Sequence, residues 1–234
     1  MKKIKVILID DERLARDELK RNIASYPEIE VIAEADNATE AVLLIKKYQP
    51  DLIFLDIQMP EKSGFDLLEM LDNVPEVVFV TAFDQYAVKA FEANALDYLV
   101  KPVRDERFAK VIEKIKNKLN DAQPPAERQL FVKDGNKCHF IRLNDVFLIE
   151  SMDNYARIYF EDKKTYIKRS LNRLEATLDL MVFFRINRSQ IININFIEHI
   201  RQLPKGKLNI TLKTGLLLEV SDRQSVKFKT FNGL

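Results

Sequence analysis

The sequence is poor in the residues that most redox, zinc and nucleotide sites need. Its 234 residues include one cysteine, Cys138. That excludes an internal disulfide framework and a cysteine-rich zinc site. Two histidines, His139 and His199, are too few for a histidine-based zinc centre. Glycine occurs five times, with no G-x-G-x-x-G and no G-x-x-x-x-G-K-[ST]. Dinucleotide-binding and P-loop readings therefore lose their phosphate cradle. No stretch approaches the roughly 18 consecutive apolar residues of a membrane span. The basic start, Met1-Lys2-Lys3, leads into an apolar run that stops at Asp10-Asp11, too short for a signal peptide. A cytoplasmic protein is expected.

What is present fits two modest globular domains, at roughly 100–200 residues each. The formal net charge is only +1, but the total hides two opposite halves. Residues 1–120 hold 18 Lys and Arg against 23 Asp and Glu, a net of −5. Residues 121–234 hold 19 against 13, a net of +6. An acidic half precedes a basic one.

The first half alternates short apolar runs with amphipathic segments. Val6 to Ile9, Ile29 to Ile32, Leu52 to Leu55, Val77 to Val80 and Tyr98 to Val100 read as strands buried on both faces of a parallel sheet. Between them, Ala38, Ala41, Val42 and Ile45 recur at helical spacing after Asn37 as N-cap, with Glu40 three residues on. Ser63 with Asp66 reads as a second helix start, and Phe108 to Leu119 as a third apolar stripe. Five strands alternating with five helices predict an α/β doubly wound, five-stranded parallel sheet of flavodoxin-like type. Its functional edge is then at the carboxyl ends of the strands.

After a polar, proline-bearing linker, residues 121–127, the pattern changes. Turn signals space out strand-like segments, and Leu208, Ile210 and Leu212 alternate with polar neighbours, as do Ala156, Ile158 and Phe160. Residues 128–234 are expected to be mostly antiparallel β. Two short helices are expected there, one from Ser170 to about Leu178 and one starting at Ser221.

Several strand ends of residues 1–120 carry polar residues the sheet does not need. Asp10 and Asp11 follow the first strand and Asp56 the third; Thr81 ends the fourth and Lys101 follows the fifth. In a parallel sheet these ends share one edge. Three carboxylates there repel one another unless a cation binds, and hard oxygen ligands favour Mg²⁺. A metal, an ammonium and a hydroxyl converging on one carboxylate describe a site for phosphorylating it.

Leu8-Ile9-Asp10-Asp11-Glu12, Leu55-Asp56-Ile57-Gln58-Met59-Pro60 with Gly64, Thr81-Ala82 and Lys101-Pro102 together resemble the receiver domain of response regulators. The resemblance spans about residues 1–120. It implies that Asp56 accepts a phosphoryl group from a sensor histidine kinase. It implies that Asp10, Asp11, Asp56 and the backbone carbonyl of Gln58 hold Mg²⁺, and that Thr81 and Lys101 bind phosphoryl oxygens. It implies that Tyr98 is the rotating switch aromatic and that Lys101-Pro102 is cis. Phe83, two past Thr81, stands where a bulky apolar side chain excludes water, so slow self-dephosphorylation is expected; no other enzymatic activity is expected.

In the basic half, Phe184 to Asn193, Ile149 to Tyr155 and Val220 to Arg223 resemble LytTR-type DNA-binding domains, the output of the LytR/AlgR class of response regulators. That resemblance covers about residues 127–231. It implies loops that enter successive major grooves of double-stranded DNA. Asn154, Arg188 and Arg223 are then base-reading residues, and the chemistry suits them: Arg forks onto guanine, and Asn pairs with adenine. Lys168, Arg169 and Ser189 are expected on phosphates. Asn187 departs from the family pattern, where many members carry His. Asp222 departs too, where many carry a basic residue. The class commonly forms a homodimer on phosphorylation, through a face that includes Ala87, Ala90 and Phe91. The alternative is a phosphorylation-controlled adaptor whose basic domain binds RNA or a protein.

Overall fold

The computed structural model describes residues 3–82, 95–120, 129–134 and 137–232. The chain divides into two compact units, residues 1–140 and 141–234. The expected linker, the helix expected from Asp84, and Phe83, Ala87, Ala90 and Phe91 lie outside the described residues.

In the first unit the elements run β1 (Ile4–Ile9), α1 (Arg13–Ile23), β2 (Ile29–Ala35), α2 (Ala38–Tyr48), β3 (Leu52–Leu55), α3 (Gly64–Met70), β4 (Glu76–Thr81), β5 (Asp97–Val100) and α4 (Asp105–Asn120). The strands form one parallel sheet in the order β2-β1-β3-β4-β5. That is the doubly wound order whose switch point lies between β1 and β3.

The apolar runs are continuous because both faces are covered. Along β3, Leu52 and Phe54 join one core while Ile53 and Leu55 join the other. Along β1, Val6 and Leu8 separate in the same way from Ile7 and Ile9. Helices α1 and α4 cover one face through Leu19, Ile23, Phe108, Val111, Ile112 and Ile115. Helices α2 and α3 cover the other through Ala41, Val42, Ile45, Phe65 and Leu68. Both expected caps form. Asn37 accepts from the Glu40 N–H at 2.8 Å, and Ser63 with Asp66 makes a reciprocal capping box.

A hairpin, β6 (Gln129–Asp134) and β7 (Lys137–Arg142), also packs on this unit. Phe131, Cys138 and Phe140 join the core on the α2–α3 face. The Phe131 ring stacks on Phe65 at 6.0 Å, and Phe140 lies 6.5 Å from Phe79. The Gln129 side chain donates to the Pro75 carbonyl at 2.9 Å.

The second unit is built from a five-stranded antiparallel sheet of β8 (Val146–Met152), β9 (Tyr155–Phe160), β10 (Lys163–Ile167), β11 (Phe183–Arg185) and β12 (Gln190–Asn193), ordered β10-β9-β8-β12-β11. A three-stranded sheet, β13 (Ile197–Gln202), β14 (Leu208–Leu212) and β15 (Leu217–Val220), precedes α6 (Asp222–Asn232). Period-2 alternation puts Ile210, Leu212, Leu218 and Val220 against Phe147, Leu148, Ile192 and Phe228 in one core. Helix α5 (Leu171–Glu175) starts at Ser170 as expected but ends before Leu178. Thr177 Oγ1 takes the Leu174 carbonyl at 2.9 Å. A hydroxyl bond of that kind competes with continuing the helix.

Candidate functional site

The parallel sheet delivers the acidic residues to one edge. Asp10 and Asp56 are buried there, and Asp11 is exposed. Carboxylate oxygens of all three lie within 4.8 Å of one another. Adjacent strands set the approach, since the Asp56 N–H donates to the Ile9 carbonyl at 2.8 Å. Loop ends fix the carboxylates. The Glu12 N–H donates to Asp10 Oδ1 at 3.0 Å, and the Gln58 N–H to Asp56 Oδ1 at 3.1 Å. Gly64 closes the loop through its N–H to the Ile57 carbonyl, and a Cβ there would stand 2.4 Å from the Asp56 carbonyl oxygen. Only glycine permits that approach.

Lys101 reaches into this cluster from the end of β5. Its Nζ lies 2.7 Å from Asp10 Oδ2 and 2.9 Å from Asp56 Oδ2. The Lys101-Pro102 bond is cis. Burial pulls the Lys101 pKa down, but the pairs with Asp10 and Asp56 outweigh it and hold the ammonium above its ordinary value. Burial pushes the Asp10 carboxyl up, against the pull of Lys101. Three carboxylates against one ammonium leave a deficit that a divalent, oxygen-seeking cation fits. Thr81 Oγ1 is buried at the end of β4 and, among the described residues, has no hydrogen-bond partner. A buried hydroxyl without a partner is costly unless a ligand completes it.

Tyr98 is half-buried and packs against the core on the α2–α3 face. Two residues missed in the sequence support the loop. Arg16 donates from Nη1 to the Asp10 carbonyl at 2.6 Å and pairs with Glu34 at 3.1 Å. Glu12 stands 3.4 Å from Lys101 Nζ. The signal for Arg16 was its place one helical turn past the acidic pair, in a helix that packs on the sheet.

In the second unit, strand pairing gathers another set at one edge. Asn154 is exposed in the β8–β9 turn, where Asp153 takes the left-handed conformation with φ 51°. Lys168 is exposed just past β10, whose last residue pairs with Ala156 beside that turn. Arg188, exposed in the β11–β12 loop, reaches the same edge because Gln190 pairs with Glu150. Arg223 is exposed at the second position of α6. That helix follows Ser221, whose N–H donates to the Ile186 carbonyl at 2.9 Å.

Ser189 is half-buried, its hydroxyl donating to Asn187 at 3.0 Å. Arg169 differs from expectation. It is only 6 % exposed, because the alternation that turns Lys168 outward turns Arg169 inward. Asp222 lies 3.5 Å from Lys207, which offsets the charge that would repel a phosphate. Arg185 was also missed. Its guanidinium donates to the Asn187 and Arg188 carbonyls at 3.1 and 2.8 Å, and pairs with Glu175 at 2.7 Å.

Residues 6–113 match the response regulator receiver domain, and residues 136–232 match the LytTr DNA-binding domain. The chain is 33 % identical to the sensory transduction protein LytT of Enterococcus faecalis, over 98 % of this chain and 99 % of that one. It is 34 % identical to the transcriptional regulatory protein BtsR of Escherichia coli K12, over 99 % of this chain and 100 % of that one. The crystal structure of the response regulatory domain of mrkE from Klebsiella pneumoniae is 33 % identical, with a TM-score of 0.45, and covers 48 % of this chain and 95 % of that one. A receiver implies a histidine kinase as partner, and a LytTr domain implies DNA, so the adaptor alternative is not favoured. Among the described residues, no helix is long and apolar enough to cross a membrane. With both domains matched and identity sustained along whole relatives, the chain belongs to the LytTR family of two-component response regulators and is a transcriptional regulator.

Proposed function

We propose that Asp56 takes a phosphoryl group from a phosphohistidine of a sensor histidine kinase in the cytoplasm, and that this modification governs DNA binding. In the transfer the N–P bond of phosphohistidine breaks and an O–P bond to the Asp56 carboxylate forms; the electron pair returns to the histidine nitrogen. Lys101 releases Asp56 to pair with one phosphoryl oxygen, and the Thr81 hydroxyl donates to another. Asp10, Asp11, Asp56 and the Gln58 carbonyl would hold Mg²⁺, which would supply positive charge against the phosphoryl oxygens. Tyr98 turns inward behind Thr81. The observation that carries this reading is the ion pair of Lys101 with Asp56 at 2.9 Å, beside a buried Thr81 hydroxyl that lacks a partner among the described residues.

Domain limits of 1–120 for the receiver, 121–127 for the linker and 128–234 for the output accompany this reading. Phosphorylated copies pair through the face of β5 and α4, where Val100 is an exposed apolar residue on the edge strand. Two tethered outputs then engage repeated sites, and the second binding event becomes intramolecular. Moving from mostly unpaired to mostly paired requires about 5.5 kcal/mol of differential stabilisation. In each output, Asn154, Arg188 and Arg223 read bases, while Lys168 holds a phosphate; Ser189, whose hydroxyl and N–H both donate to Asn187, keeps no donor for one. Arg169, being buried, does not itself reach a phosphate.

Radiolabelled acetyl phosphate with Mg²⁺ tests the first half: wild type takes the label and Asp56→Asn does not. Persistent labelling of Asp56→Asn refutes the acceptor. Selection of bound duplexes from a random pool, with and without phosphorylation, tests the second half. A repeated motif enriched on phosphorylation is expected, and no enrichment of any duplex refutes it.

A further inference from the structure

Asn187 sits in the β11–β12 loop, one residue before Arg188, with its side chain half-buried. An amide side chain has two donor hydrogens and one oxygen with two lone pairs. Here all four are used. Nδ2 donates to Gln190 Oε1 at 2.8 Å and to the Glu219 carbonyl at 3.2 Å. Oδ1 accepts from the Ser189 N–H at 2.9 Å and from the Ser189 hydroxyl at 3.0 Å. The backbone partners fix which end is which, since an N–H can only donate and a carbonyl only accept.

These bonds reach in three directions. Glu219 lies on β15, in the other sheet, three residues before the start of α6 that carries Arg223. The Ser221 N–H bonded to the Ile186 carbonyl makes a second tie across the same gap. Gln190 passes its own amide to Glu150 Oε1 at 2.8 Å on β8, the strand that ends in the Asn154 turn. The Ser189 carbonyl accepts from the Ser151 N–H at 2.8 Å on that same strand. One side chain therefore joins the Arg188 loop to the strand that leads into the Arg223 helix and, through Gln190, to the Asn154 strand.

We infer that Asn187 is a positioning residue for DNA recognition: its four-way hydrogen bonding sets the spacing between the elements that carry Arg188, Arg223 and Asn154. This rests on the reading of those residues as base contacts. Base edges must be met within a few tenths of an ångström and near-linear N–H···acceptor angles for a bidentate pair to form. Three elements that float independently pay for alignment at each binding event; three that are tied are already aligned. Asn187 touches no base in this scheme. It acts through the others.

Asn187→Asp is the sharpest probe. The carboxylate keeps both bonds from Ser189, so the loop holds its own shape. It loses both donors, and its second oxygen faces Gln190 Oε1 and the Glu219 carbonyl. The measurement is the base-preference profile of the full chain, obtained from random-pool selection. Wild type, Asn187→Asp, Arg188→Ala and Arg223→Ala are compared, and Asn187→Ala serves as the neutral second variant should the aspartate fail to fold.

Arg188→Ala and Arg223→Ala are expected each to erase preference at their own base positions. The Asn187 variants are expected to flatten both sets together and to weaken the selected duplex about tenfold relative to a scrambled one. Added charge or a loss of folded protein lowers binding to every duplex alike and leaves the profile intact. A wild-type profile from either Asn187 variant overturns the inference, as does flattening confined to the Arg188 positions. Unchanged profiles from both arginine variants overturn instead the base-contact reading beneath it.

Discussion

Lys101 Nζ stands 2.9 Å from Asp56 Oδ2, so the proposed acceptor is already paired with the ammonium that is to stabilise its phosphoryl group. The same ammonium lies 2.7 Å from Asp10 and is itself mostly buried. It therefore serves as the internal counter-ion of the acidic cluster and competes with an added metal for the same oxygens. Lys101→Met removes that counter-ion and leaves Asp10 and Asp56 facing each other. Breaking a buried pair costs about 3–5 kcal/mol. In urea unfolding with chelator present, the variant is expected to lose stability of that order. Mg²⁺ is expected to restore more stability to it than to wild type, because the metal meets no competitor. Equal stabilisation of both proteins by Mg²⁺ would refute the competition.

The helix that follows the acceptor loop offers a pH test away from the metal site. The Ser63 hydroxyl beside Asp66 holds its carboxyl below the ordinary value, with help from the Ser63 N–H and Lys133 and against a desolvation penalty. An acid whose folded pKa is depressed contributes stability that is present above the unfolded pKa. That stability is lost as pH falls through the folded value. For Asp66 the loss begins near its unfolded value of 3.8 and runs below it. Ser63→Ala is expected to raise the Asp66 carboxyl pKa in an NMR titration and to destabilise by about 1 kcal/mol at neutral pH. A carboxyl resonance that titrates unchanged in the variant would show that the capping box does not hold the carboxylate ionised.

The acceptor edge was legible because a parallel sheet with fixed strand order leaves no choice about where strand ends go. Once Val6 to Ile9 and Leu52 to Leu55 are neighbours, Asp10 and Asp56 must meet. The hairpin was not legible in that way. Pro124-Pro125 reads as a boundary, and a strand such as Gln129 to Asp134 does not state in its sequence which layer covers it. The burial of Arg169 was not legible for a related reason: in Lys168-Arg169 both residues are basic, so composition cannot say which faces in. The role of Asn187 depends on a carbonyl 32 residues later. Only the pairing of two sheets brings them together.

Phe131 tests whether the hairpin is part of the first unit's core or rests on it. The residue is 1 % exposed, stacks on Phe65 and lies 5.1 Å edge-on to Phe140. Phe65 is adjacent to Gly64, the residue that closes the loop after Asp56. Removing a buried aromatic ring leaves a cavity and costs about 3–5 kcal/mol. Phe131→Ala in the full chain is expected to speed amide hydrogen exchange in α3 and β4, with α1 less affected on the opposite face. Exchange that rises only within the hairpin would mean the contact does not support the receiver core.

The basic edge separates two kinds of contact that one affinity cannot distinguish. Lys168 is exposed at the end of β10, and a lysine there offers a point charge without geometric preference. Arg188 is exposed too, but Arg185 pins its backbone carbonyl at 2.8 Å, and that carbonyl lies in a loop tied to two sheets. A fixed backbone is what base reading needs and phosphate pairing does not. Lys168→Ala is therefore expected to weaken all duplexes to a similar degree and to reduce the slope of log affinity against log salt by about 1. Arg188→Ala is expected to cost about 1–3 kcal/mol on the selected duplex alone, with little change on a scrambled one. Binding titrations over a range of salt concentrations with both duplexes give all four numbers. Parallel losses from the two variants on both duplexes would refute the division between reading and anchoring.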